Sequence, residues 1–435
     1  MTRRAAPSES LAEDPWSGAL PAGWPTVRLS HLADFVTGRT PDKSNAEYWH
    51  DGTIPWVSPR DVKSEVISGS ADRVTEFAAR EGAAQLVPAG CVLVVVRSMI
   101  LTRSLPVAVT ANEVAINQDI VALICRPHIR SDFLRAVLAS QAQWLIGHGY
   151  SAARGPVSLS VRVLQRLAVP CPPLEVQGEV MVRIWHGTRN LDALISIKEK
   201  ELRLLAERKD AIIASAVTGR SWPLAREVPG NWEVRRLGDL GQIVTGATPA
   251  RDDARNWTDG TMPWLTSTVV NDGEVTSSRE HVTAAALKKY RLPVLQPGAV
   301  LVAATGQGRT RGLAAVLSIE ATTSQHLVSI QPDPAKLDTW FLRWVLFAAY
   351  DFLRGISDDG GGSRGALTRE QVANLRVPLP SFAEQCSIAE YIARETAHID
   401  RISTAAEHTI EYLRERRTAL LAAAVTGHIN NYGIK

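Results

Sequence analysis

Two repeated α+β domains, each followed by a long α-helix, are predicted from three features of the 435-residue sequence. These are an internal repeat at one fixed offset, short apolar runs bounded by Gly/Pro turns early in each copy, and a proline-free heptad stretch late in each copy. The class is mixed α/β. The two long helices are expected to pair as an antiparallel coiled coil, which relates the halves by a pseudo-two-fold axis.

The repeat runs almost from end to end. P-A-G-W-P-T-V-R-L at 21–29 returns as P-G-N-W-E-V-R-R-L at 229–237. V-T-G-R-T-P (36–41) returns as V-T-G-A-T-P (244–249), and W-H-D-G-T-I-P-W (49–56) as W-T-D-G-T-M-P-W (257–264). Trp24 and Trp232, Gly90 and Gly298, Gln177 and Gln385, and Asp192 and Asp400 are all 208 positions apart. Small slips occur near Gln118/Gln325 and Gly155/Gly365. A tandem duplication explains this register, and its two halves are expected to fold alike.

Taken in order, residues 1–20 read as a flexible tail. Residues 21–173 form the first domain, with strands expected at Cys91–Val96 and Ile120–Ile124 and a helix over Asp132–Ile146. Short β-branched runs between turns give buried strands. After Val169-Pro-Cys-Pro-Pro173 the texture changes, and 174–220 reads as one helix. Ile184, Leu191, Ile195, Leu202, Leu205, Ile212 and Ala216, completed by Thr188, Lys198 and Lys209, alternate four and three apart as a heptad seam does. Residues 221–228 link to the second domain, 229–381, which carries the matching helix at Leu337–Leu353. Residues 382–428 repeat the long helix through Ile392, Ile399, Ala406, Leu413, Leu420 and Ala424, with Thr396, Ser403, Ile410 and Arg417 between them. A tail follows at 429–435. Each long helix is about 40 residues, or roughly 60 Å, and Gly219 and Gly427 stand where a helix-ending glycine belongs. Such an amphipathic helix needs a partner to bury its stripe.

Composition narrows the function classes. Hydrophobic residues at 45% and charged residues at 21% are a globular balance. A net charge of +3 does not announce a nucleic-acid binder. Only nine of the 48 basic residues are lysine; arginine is the better reader of bases and phosphates, though a GC-rich genome gives the same bias. Cys91, Cys125, Cys171 and Cys386 are far apart and lack metal-ligand spacing, which points to a reducing cytoplasm without structural metal. The opening M-T-R-R-A-A-P has neither a signal-peptide core nor a membrane anchor, and no apolar run approaches the roughly 20 residues that span a bilayer. Catalytic motifs are missing too. Cys171-Pro-Pro-Leu174 lacks the amide or carboxylate of an amino-methyltransferase tetrapeptide. Gly306-Gln-Gly-Arg-Thr-Arg-Gly312 lacks the Gly-Lys-Ser/Thr ending of a phosphate loop.

The ordered set resembles the specificity subunit of Type I restriction–modification systems over about residues 21–428. The residues that carry it are Gly23-Trp24…Leu29 and Asn231-Trp232…Leu237, then Val-Thr-Gly-x-Thr-Pro, Asp-Gly-x-x-Pro-Trp, the Val-Pro-x-Pro marker with Gln177 or Gln385, and the Ala-Val-Thr-Gly helix ends. The resemblance implies two target-recognition domains, each reading one half of a split double-stranded DNA sequence. It implies that the paired helices are a spacer and a dock for two modification subunits that methylate adenine N6 with S-adenosylmethionine. Two restriction subunits using ATP and magnesium complete such an enzyme; the chain itself binds no cofactor and performs no chemistry. A duplicated adaptor that binds protein instead of DNA shares the bare architecture, and a complex indifferent to salt and DNA would mark it.

DNA contacts are expected from polar loops where backbone or side chain reaches phosphates and base edges. In the first domain the candidates are Thr37, Gly38, Arg39, Thr40, Ser58, Arg60, Arg97, Arg103, Asn117, Gln118 and Arg154. In the second they are Thr245, Gly246, Thr248, Thr266, Ser267, Thr268, Thr305, Arg309, Arg311, Gln325, His326 and Arg364. Trp56, Trp264, Gly38 and Gly246 serve a turn-and-core role equally well. The stretches Arg97–Arg103 and Thr305–Arg311 differ strongly while the strands before them agree, as two different half-sites would require.

Overall fold

The computed structural model describes residue 16 and residues 20–151, 156–218, 229–306, 309–358 and 365–428. It divides into two compact units, the first made of 1–199 with 408–435 and the second of 200–407.

The first unit is built on a five-stranded sheet in the order Ala33–Thr37, Ile120–Cys125, Val92–Val95, Val107–Thr110, Val66–Ile67. Its central strand, Val92–Val95, is buried along its whole length and antiparallel to both neighbours, with Val94 opposite Val121 and Leu93 opposite Ala108. An unbroken apolar run, β-branched at all positions but Leu93, suits a strand covered on both faces. The second unit repeats the sheet as Gly241–Thr245, Leu327–Pro332, Val300–Ala303, Ala314–Leu317, Glu274–Val275. Strand Val92–Val95 is offset by 208 from its mate and strand Val107–Thr110 by 207. The first slip in the repeat therefore falls in the loop between these strands.

A second sheet packs beside each first one. It runs Arg73–Val74, Ile54–Val57, Val114–Ile116, Gln85–Val87 in the first unit, and Glu280–Val282, Met262–Leu265, Thr322–Thr323 in the second. A single bridge between Leu295 and Ala321 stands where the first unit has its fourth strand. The Asp-Gly turns entering these sheets put Asp51 and Asp259 in the left-handed region, with φ of 55° and 56°.

The expected helices over 132–146 and 337–353 are each broken in two. Ser131–Ser140 is followed by Ala142–Gly147, and Thr339–Ala348 by Tyr350–Asp358. The break lets Leu145 and Leu353 reach the core together with Phe133 and Phe341. Trp16 also departs from the sequence reading: it is buried rather than part of a free tail, and its indole N–H donates to Ala168 O at 2.6 Å.

The long helices are Leu174–Thr218 and Phe382–Val425. Each begins in one unit and ends in the other. In the first unit Val180, Ile184 and Leu191 share a core with Leu413, Leu420 and Leu421. Arg417 binds Asp192 at 2.6 Å and Arg414 binds Glu199 at 2.8 Å, so the two segments there run antiparallel. In the second unit Ile213 and Val217 share a core with Ala389 and Ile392, and Lys209 binds Asp400 at 2.6 Å. The heptad seam of Phe382–Val425 is buried or half-buried at every position, but Leu174–Thr218 ends by burying Ile213 and Val217 more fully than Ile212 and Ala216. An α-helix drifts about 20° per heptad against a strict repeat, so over the four heptads from Ile184 the buried face moves on by nearly one residue. Gly427, at φ 79°, closes the second helix, with His428 N–H donating to Ala423 O and Gly427 N–H to Ala424 O. Gly219 lies outside the described residues. No helix among the described residues is long and apolar enough to cross a membrane.

Candidate nucleic-acid interface

In each unit the turn after the first sheet strand is drawn onto a strand end of the second sheet. Arg39 N–H donates to Ile116 O at 2.8 Å. A Cβ on Gly38 would lie 2.0 Å from Asn117 O, and one on Gly246 only 1.6 Å from Thr323 O. Glycine is required there because two backbones touch. The approach sets Thr40 against Gln118, whose side chains hydrogen-bond, and Thr248 Oγ1 donates to Gln325 Oε1 at 2.7 Å. Two groups of sequence candidates thus become one polar spot in each unit.

The repeated tryptophans hold this turn from below. Trp56 donates its indole N–H to Arg39 O at 3.1 Å and Trp264 to Ala247 O at 3.0 Å. Trp49 and Trp257 pack edge-on against them at 5.3 and 5.2 Å between ring centroids. In the second unit Arg251 lies over both rings, at 4.2 and 4.8 Å from their centroids, and its side-chain hydrogen bond to Glu280 raises its pKa. The indoles serve the frame.

The remaining candidates divide by exposure. Ser58 is buried, and both its N–H and hydroxyl donate to Asp61. Asn117 is buried in a turn of its own, accepting from Asp119 N–H at 3.1 Å. Thr37, Arg39, Arg60, Arg97, Arg103 and Gln118 are exposed. Arg97 meets Asp119 at 2.6 Å, a carboxylate outside the sequence candidates, since an anion does not itself bind phosphate. In the second unit Thr245 and Arg309 are exposed, whereas Arg311 is buried. Thr266 and Thr268 hydroxyls meet at 3.1 Å where Ser267–Asp272 begins a tight turn. Thr305 Oγ1 lies 2.8 Å from His326 Nδ1, beside Gln325, and Thr310 Oγ1 donates to Asn271. Arg154 and Arg364 lie outside the described residues. No group of three or more His, Cys, Asp or Glu side chains placed to hold a metal occurs among the described residues.

One frame, present twice and carrying different loops on matching polar rims, defines a duplicated recognition protein. The chain belongs to the family described as the Type I restriction modification DNA specificity domain, which matches residues 21–207 and again 229–412. It is similar to the EcoR124I/EcoR124II specificity subunit of Escherichia coli, 28% identical over 158 residues, 36% of this chain but only 39% of that protein. It is also similar to the MjaIX specificity subunit of Methanocaldococcus jannaschii, 22% identical over 348 residues and covering 76% of this chain and 77% of that one. Among solved structures, a chain from work on complex assembly and conformational transition of the type I R-M system shares the fold. Its TM-score is 0.69 at 17% identity, over 94% of this chain and 99% of that one. Two copies of that DNA specificity domain therefore make up most of the chain.

Proposed function

We propose that this chain reads a bipartite double-stranded DNA target, one half with each unit, within a Type I restriction–modification complex in the cytoplasm. The observation that carries the reading is the pairing of a shared frame with divergent loops: the five-stranded sheets agree strand for strand, whereas the loops after their central strands, 96–106 and 304–313, differ by one residue in length and differ in chemistry. Two equal frames with different loops recognise two different short sequences. On this reading the long helices form the spacer and the dock for two modification subunits, which supply S-adenosylmethionine and methylate adenine N6. Two restriction subunits bring ATP, magnesium and cleavage.

Co-expression with the modification subunit in a methylation-free host, followed by mapping of modified adenines, tests this. A two-part motif with a fixed gap, lost when this chain is omitted, is the expected result. Unmodified DNA from a stable complex points to an adaptor, and no complex at all refutes the docking role.

A further inference from the structure

The loop after the central strand differs in kind between the units. In the first, Arg97–Ser98 forms one edge of a three-stranded antiparallel sheet, with Val157–Ser158 at its centre and Tyr150–Ser151 beyond. The chain then turns through Met99–Thr102, where Met99 is 64% and Ile100 41% exposed, and across the sheet Tyr150 is 63% exposed. Leu101 and Leu105 are buried just behind. Ser98 Oγ accepts from Ile100 N–H at 3.3 Å, Thr102 Oγ1 donates to Met99 O at 2.8 Å, and Arg103 N–H donates to Ile100 O at 2.9 Å. The fold therefore fixes two aliphatic side chains outward on an anchored turn, so little ordering remains to be done on binding. In the second unit, residues 305, 306 and 309–313 of the corresponding loop expose no large apolar side chain.

This apolar tip stands on the polar rim already described. Arg97 is held by Asp119, the neighbour of Gln118, which is bonded to Thr40. Arg103 is exposed just after the tip, and no acidic residue occurs from 97 to 105. Cationic flanks suit a polyanion. On B-DNA the apolar group offered by a base edge in the major groove is the thymine 5-methyl.

We propose that Met99 and Ile100 are specificity-determining residues that recognise thymine methyl groups in the half-site of the first unit. The proposal rests on the DNA-reading function above and adds the chemical feature read.

The test uses the full chain assembled with its modification subunit and duplexes bearing the mapped target. Each thymine is replaced in turn by deoxyuridine, which removes the methyl alone. Wild type is expected to lose about fourfold in affinity at one or two thymines of one half-site, the effect of one buried carbon. A Met99→Gln/Ile100→Thr variant is expected to bind the natural target more weakly and to be indifferent to uracil at those same positions. Tolerance of uracil at every thymine, with the target still preferred over mismatched DNA, overturns the proposal and leaves the DNA reading intact. So does a target without thymine in either half-site, or a variant that assembles normally and keeps both the wild-type target affinity and the wild-type response to uracil. A wild-type complex that prefers no sequence at all overturns both.

Discussion

Glu65 binds two arginines at once: Arg135, whose side chain is only 5% exposed, at 3.0 Å, and Arg417, which also holds Asp192. Burial pulls the Arg135 pKa down. It pulls Arg417 down too, but there the hydrogen bonds to Glu65 and Asp192 prevail and the pKa is raised. The second unit keeps the cations and loses the bridge, for Gly273 stands in the place of Glu65. Arg343, the mate of Arg135, is left over the Trp344 ring at 3.9 Å, its Nε without a hydrogen-bond partner and burial pushing its pKa down to about 10. Glu65→Gln is expected to cost about 2 kcal/mol, because a buried guanidinium loses its charge partner. Arg343→Leu is expected to be neutral or stabilising, since it removes a half-buried cation to which no carboxylate is bound among the described residues. Denaturant unfolding of the two variants distinguishes these outcomes. Burial likewise pushes the Cys91 thiol up to about 11 and the Cys125 thiol up to about 12, the latter with help from Cys91 and Asp132. Their contribution to stability is complete below the free-thiol value of about 8.5 and is lost as pH rises from there through the folded values. Alkylation at about pH 8 is expected to be slow until the protein unfolds.

At the scale of elements, the repeated glutamine explains why each long helix starts where it does. Gln177 Nε2 donates to Pro172 O at 2.7 Å and His128 O at 3.1 Å, while its Oε1 accepts Arg130 N–H at 2.9 Å. Gln385 repeats all three bonds with Pro380, Lys336 and Asp338. Both are fully buried. One side chain thus latches the first turn of the long helix to the loop before helix Ser131–Ser140 in the first unit, or Thr339–Ala348 in the second, and it closes off backbone groups that would otherwise be buried unpaired. Gln385→Leu is expected to lower stability by about 3 kcal/mol, as two carbonyls and an N–H lose partners. Gln385→Glu should recover only part of this, because a carboxylate cannot donate to the carbonyls. Thermal unfolding of the two variants checks the order.

For the whole molecule, two readers joined by helices of fixed length are expected to contact DNA at a fixed separation, with half-sites about one helical turn (roughly 34 Å) apart presenting the same groove. Four residues inserted near Leu205 and four near Leu413 add about one turn, roughly 6 Å, to each helix. The expected outcome is a longer unread gap between unchanged half-sites, seen by methylation mapping; an unchanged gap rules out the spacer role. Exchange of 97–105 alone is expected to alter one half-site and leave both the other half-site and the gap as they were.

The sequence by itself determined the duplication, the class of fold, the buried strands and both long helices, because each rests on a local period or on a self-match that no tertiary contact is needed to see. It also exposed the polar spot in pieces, as Thr40 and Gln118 or Thr248 and Gln325. Their union was not legible, since what joins them is the contact of Gly38 with Asn117 and of Gly246 with Thr323, backbone meeting backbone some 80 residues apart. Only the tertiary structure decided which candidates face inward, as Ser58, Asn117 and Arg311 do, and which apolar residues face outward, as Met99 and Ile100 do. It also decided that each long helix ends in the core of the unit opposite to the one where it starts. Residue type sets what a side chain is able to do, but exposure and partners are properties of the packed chain, and they decide what it does.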